Sequence, residues 1–110
     1  MDACPERVQG VRDTQDLIGG KWKIVILAAL YINGKFRFMD LARHIDGIAP
    51  KVLSKELKDL EMNQLVKRTV IDTMPITVEY ELTPQGKTLK DVVYAMADWG
   101  MQYRKTIMKG

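Results

Sequence analysis

At 110 residues, with 46% apolar and 28% charged side chains, the chain is long enough for one domain with a real core and too apolar for a disordered tail. Its longest apolar run, Ile24 to Ile32, is nine residues, far short of the roughly 20 that span a bilayer, and no basic segment precedes a hydrophobic stretch at the start. The net charge of +3 falls within residues 35–70, where eight Lys/Arg meet five acids: either a weak footprint for a polyanionic partner or a plain solvated face.

In chain order, residues 1–5 read as a loose end, followed by a helix from about Glu6 to Ile18 that Gly19 and Gly20 stop. A second helix from about Trp22 to Ile32 is apolar on nearly every face, as a central buried helix would be, and Asn33-Gly34 ends it. Residues 35–38 form a short link, at most one strand's worth. The next helix places Phe38, Leu41, Ala42 and Ile45 on its inner side, Gly47 permits a sharp turn, and Ile48 returns to the core. Pro50 suits the first position of a new helix; Ala49 before it is a poor cap.

In that helix Leu53, Leu57 and Leu60 make one apolar stripe. Lys51, Ser54, Lys55, Lys58 and Met62 take the opposite face, with Glu56, Asp59 and Glu61 at its flanks. Segregated lysines of this kind suit contact with phosphates and bases. Two strands follow, Leu65 to Ile71 and Val78 to Leu82, joined by a loop too long for a tight hairpin. Thr83-Pro84 then caps a long last helix running to about Met108. Its stripe of Leu89, Val93, Met96, Gly100, Tyr103 and Ile107, widened by Val92, Ala95 and Trp99, carries more apolar surface than one small domain can cover. It fits a second copy of the chain, or packing on the first helix. Three helices ending in a helix-turn-helix, then a two-stranded wing and a last helix, make a mostly helical α+β winged helix-turn-helix.

With these elements in place, the chain resembles the HxlR-type winged helix-turn-helix transcriptional regulators. The resemblance rests on Cys4-Pro5, Asp16 to Trp22, Arg37-Phe38, Gly47-Ile48 before Lys51 to Ser54, and Leu57 to Glu61. It continues with Leu65 to Arg68, Val78 to Thr83 with Gly86, and Trp99-Gly100. It implies one domain over residues 1–110, with 1–5 flexible, the helix-turn-helix at 38–62, the wing at 65–83 and a dimerisation helix at 84–109. It also implies a homodimer, read here as a repressor, joined through Val8, Val11, Val92, Met96, Trp99, Tyr103 and Ile107 and bound to double-stranded DNA at a near-palindromic operator. Pro50, Lys51, Ser54, Lys55 and Lys58 would face the major groove, and Lys21, Arg37, Lys67 and Arg68 the DNA backbone. The wing departs from the family pattern: Thr77 stands where members often carry a basic residue, and residues 74–77 hold no cation.

Some members sense oxidants or electrophiles through a cysteine at the place of Cys4. A thiol ahead of Pro5 would sit at the positive end of the first helix, where the thiolate is favoured; the alternative is an inert cysteine. With one cysteine, an intrachain disulfide is excluded and a cytoplasmic protein is expected. One His (His44), one Cys and one Ser on different elements offer no catalytic set, and no metal motif or phosphate loop is present, so neither enzyme nor cofactor is expected. Two rival readings remain. One is a winged-helix module for protein contact; the other is a regulator whose small-molecule effector binds at the dimer interface near Trp22, Trp99 and Tyr103.

Overall fold

A computed structural model describes residues 4–107. The order is α1 (Pro5–Ile18), α2 (Lys23–Asn33), β1 (Lys35–Arg37), α3 (Phe38–His44), α4 (Pro50–Met62), β2 (Val66–Ile71), β3 (Thr77–Leu82), α5 (Pro84–Lys87) and α6 (Lys90–Ile107). This is a winged helix-turn-helix. Its centre is α2, whose Ile26, Leu27 and Leu30 are fully buried and which touches α4, α6, β1 and β3. The β-branched residues in α2 do not divert it to strand, because Ile26, Leu27, Ala29 and Leu30 are buried against the surrounding elements and packing outweighs propensity; Val25 and Ile32 stay exposed. Leu41, Leu53, Leu57, Leu60 and Val66 complete the fully buried set.

Breaks between helices follow from backbone constraints. At Gly19, whose N–H bonds to the Gln15 carbonyl at 2.7 Å, a Cβ would lie 2.3 Å from that same oxygen, so only glycine fits. Gly47, at φ +85°, makes the turn between α3 and α4 beneath the Trp22 ring. Pro50 is the first residue of α4, and Ala49 contributes no side-chain cap, as its methyl requires.

Three points differ from the sequence expectations, and one turn was not foreseen either way. Pro5 is not loose but opens α1, with Cys4 as its N-cap residue; residues 1–3 lie outside the described residues. The sheet has three strands, not two: β1 pairs antiparallel with β3 (Phe36 opposite Tyr80), β3 with β2 (Val66 opposite Leu82), and the strand order is β1-β3-β2. The turn at residues 63–65 holds Gln64 at φ +62°, with Gln64 N–H on the Glu61 carbonyl and Leu65 N–H on the Leu60 carbonyl, both at 3.0 Å. That is a Schellman ending built without the usual glycine.

The third difference concerns the last helix, which is interrupted. Thr83 caps α5 by accepting from Gly86 N–H, and Gly86 sits so close to the wing that a Cβ would lie 2.1 Å from the Leu65 carbonyl oxygen. Thr88 N–H and Leu89 N–H then bond three residues back, to Gln85 and Gly86, and α6 restarts at Lys90. The expected end at Met108 lies outside the described residues. Only Ile18 of α1 and Val93 of α6 are buried. The two helices therefore project from the core, and the molecule measures 59 × 39 × 21 Å.

Candidate nucleic-acid interface

The 3.6-residue period of α4 sorts its side chains cleanly. Leu53, Leu57 and Leu60 are fully buried, whereas Pro50, Lys51, Ser54, Lys55 and Lys58 are all exposed. Among the described residues none of the three lysines is paired with a carboxylate, so their charge is free for an outside partner. Glu56 and Asp59 do not dilute that face, because both turn to the opposite flank toward Lys23 of α2. Lys23 Nζ hydrogen-bonds Glu56 Oε1 and lies 3.4 Å from Asp59 Oδ2. The hydrogen bond to Glu56 raises the Lys23 pKa above its ordinary value, against the opposing effect of burial. Sequence reading missed this trio. Its only local signal is a lysine in the first turn of an otherwise apolar helix.

The expected backbone contacts are distributed more unevenly. Arg37 is exposed at the end of β1 and lines a cleft of about 560 Å³ with Asp40, Arg43, Ser54, Thr77 and Tyr80. The fold thus gathers Arg37 and Ser54 between α3, α4 and the wing. The Thr77 hydroxyl is buried there without a hydrogen-bond partner among the described residues. Arg43 pairs with Asp40 at 2.5 Å. Lys21 stands before α2 with its Nζ 4.9 Å from the Trp22 ring centre, in a recess shared with His44, Asp46 and Gly47, beside the turn of the helix-turn-helix. Lys67 and Arg68 are exposed but elsewhere. They line a recess with Glu61, Gln64 and Thr83, at the C-terminal end of α4, and do not join Arg37 and Ser54.

At the wing tip Met74 is 99% exposed and Ile76 is also exposed, and residues 72–76 carry no cation. The Met74–Pro75 peptide is cis. On α1 and α6, Val8, Val11, Val92, Met96, Trp99, Tyr103 and Ile107 are all exposed, with Val11 at 67% and Trp99 at 68%. Val11, Val92 and Met96 line one groove of about 840 Å³ between α1 and α6, and Trp99 stacks on Tyr103 at 5.0 Å. Trp22 lies apart from that stack, and the recess it lines contains neither Trp99 nor Tyr103.

Cys4 is half-buried at the start of α1, its carbonyl accepting from Arg7 and Val8 N–H. His44 packs on Phe36 with ring centres 5.0 Å apart. Among the described residues no helix is long and apolar enough to cross a membrane.

Comparison with known proteins agrees with this geometry. The model of the HxlR-like helix-turn-helix family matches residues 17–108. An uncharacterized HTH-type transcriptional regulator of Bacillus subtilis (strain 168), YdeP, is 39% identical over 109 residues, covering 99% of this chain and 80% of its own. Among solved structures, the redox regulator HypR in its reduced form superposes with a TM-score of 0.83 at 37% identity, over 90% of this chain and 97% of that one. HypR in its oxidized form gives 0.79 at 39% identity, over 84% and 95%.

Proposed function

The chain belongs to the HxlR-like helix-turn-helix family, whose members are transcriptional regulators that bind DNA, and on that premise we propose that it is a homodimeric repressor of a near-palindromic operator. The observation that carries the reading is the outer face of α4, where Lys51, Ser54, Lys55 and Lys58 are exposed and unpaired over a buried leucine stripe. Each α4 enters a major groove, and lysine ammonium groups there donate to guanine O6 and N7 or to phosphates. Arg37, beside Ser54, and Lys21, beside the turn, hold the DNA backbone. Lys67 and Arg68 contribute only if the DNA path extends past the C-terminal end of α4.

Dimerisation through the α1–α6 groove would cover Val8, Val11, Val92, Met96, Trp99, Tyr103 and Ile107, which otherwise leave an apolar patch in water. It would set the two α4 helices about 34 Å apart, or a multiple of that, to match two half-sites. The domain then divides into the helix-turn-helix at 38–62, the wing at 65–83 and the α5–α6 arm that carries the dimer contact. Selection of bound DNA from a random pool tests the reading: wild type enriches a two-fold motif, and Lys51→Ala with Lys55→Ala loses it. Enrichment of the same sites by the variants would refute the assignment of α4.

For the releasing signal, Cys4 is the candidate. Two similar structures are oxidized and reduced forms of a redox regulator, and Cys4 stands at the start of a helix that contributes to the proposed dimer groove. Oxidation joining Cys4 to its counterpart, or to a small thiol, would alter α1 where the protomers meet. Treatment with an oxidant releases wild type from DNA; equal release of Cys4→Ser would remove Cys4 from the mechanism.

A further inference from the structure

Lys23 occupies a position that a helix disfavours for a cation. It is the first residue of α2, at the positive end of the helix dipole, and no acid lies in that helix's first turn. Its partners, Glu56 and Asp59, come from 33 and 36 residues away, on α4. The Lys23 and Glu56 side chains are each only 16% exposed, and Asp59 closes the trio from the outer side. Glu56 and Asp59 are three residues apart on one flank of α4, between the buried leucines and the lysine face.

We infer that Lys23 is a positioning residue for DNA binding, pinning the acidic flank of α4 to α2 so that both carboxylates are turned from the phosphates and partly neutralised. This rests on α4 being the helix that enters the groove. An α-helix is about 10–12 Å across, comparable to a Debye length of about 8 Å at physiological salt, so charge on its flank is felt by DNA lying against its outer face. Without the ammonium, Glu56 would be a largely buried carboxylate with no partner. It would turn outward to water, toward the side where the polyanion binds, and Asp59 would follow. Lys23 therefore performs two tasks with one contact. It fixes the pitch of α4 against the central helix, and it keeps Lys51, Lys55 and Lys58 as the net charge that DNA meets.

The test uses fluorescence anisotropy on a DNA fragment selected by the wild-type protein, over a salt series, with a thermal melt of each variant. Lys23→Met weakens binding about three- to tenfold at low salt and makes the dependence of log affinity on log salt shallower, because fewer counterions are released. Glu56→Gln with Asp59→Asn has the opposite effect: the freed ammonium steepens the slope by up to about 0.9. All three substitutions together return affinity to within about twofold of wild type and restore the salt slope, read at a temperature where the melts show every variant folded, so that recovered stability does not account for the change. Wild-type affinity and slope in folded Lys23→Met overturn the inference, as does weakened binding that the triple substitution fails to recover. Should Lys23→Met not fold, an unchanged slope in Glu56→Gln/Asp59→Asn overturns it alone. Failure of the wild type to bind any DNA refutes the reading of α4 itself, and the inference with it.

Discussion

Leu57 is fully buried and Lys58, its neighbour in sequence, is exposed, and that contrast along α4 is what the proposed reading surface rests on. The buried leucines fix the helix in its seat, so the lysines opposite them present charge at a defined height and rotation. Replacing Lys51 or Lys55 by Ala is expected to weaken operator binding by about 1–3 kcal/mol if the ammonium reads a base edge. If it meets a phosphate instead, affinity falls across all sequences and the salt slope drops by about 0.9. Anisotropy with matched and mismatched duplexes separates the two. Lys23 carries a further expectation. Its folded pKa is raised by its hydrogen bond to Glu56, so the stability it contributes is fully present below the ordinary lysine value and lost as pH rises through the folded one. Melting followed from neutral to strongly alkaline pH should show wild type losing an advantage over Lys23→Met only at the alkaline end; a difference independent of pH would contradict that.

The joints between elements are where sequence reading and structure part. The faces of α4 were legible because three leucines at helical spacing leave no other solution, and Gly47 and Pro50 mark the turn with backbone chemistry. The third strand was not. Lys35–Arg37 is three residues long, and its identity comes from β3, more than forty positions away. Nor was the break before α6, since Leu89 continues the helical period and the cause lies in the fit of Gly86 against the Leu65 carbonyl. The Lys23 trio escaped for the same reason: sequence periodicity shows faces, not which faces meet. Two joints yield expectations. Gly86→Ala should destabilise the protein by about 1–3 kcal/mol, because the new methyl meets backbone that cannot move aside. Gln64→Gly should stabilise it by about 1 kcal/mol by relieving a positive φ. Urea unfolding checks both, and opposite signs are required.

At the scale of the molecule, the core is gathered around α2 while α1 and α6 project with one buried residue each. Such an outline is costly in water for a single copy and suits the proposed pair, for which the exposed Trp99–Tyr103 stack and the Val11–Met96 groove are the candidate contact. Trp99→Asp should shift sedimentation toward monomer and lower operator affinity together; a dimer of unchanged stability would place the contact elsewhere. On the proposed reading the wing tip, apolar and without cations, leaves α4, Arg37 and Lys21 to carry the charge that DNA meets. The most direct test of a paired reader is a hydroxyl-radical footprint on the selected fragment, with wild type and the Lys51→Ala/Lys55→Ala variant side by side. Two protected segments related by a two-fold axis, with centres about 10 base pairs apart or a multiple of that, both lost in the variant, are the predicted result. A single segment, or protection unchanged by the two substitutions, would contradict it.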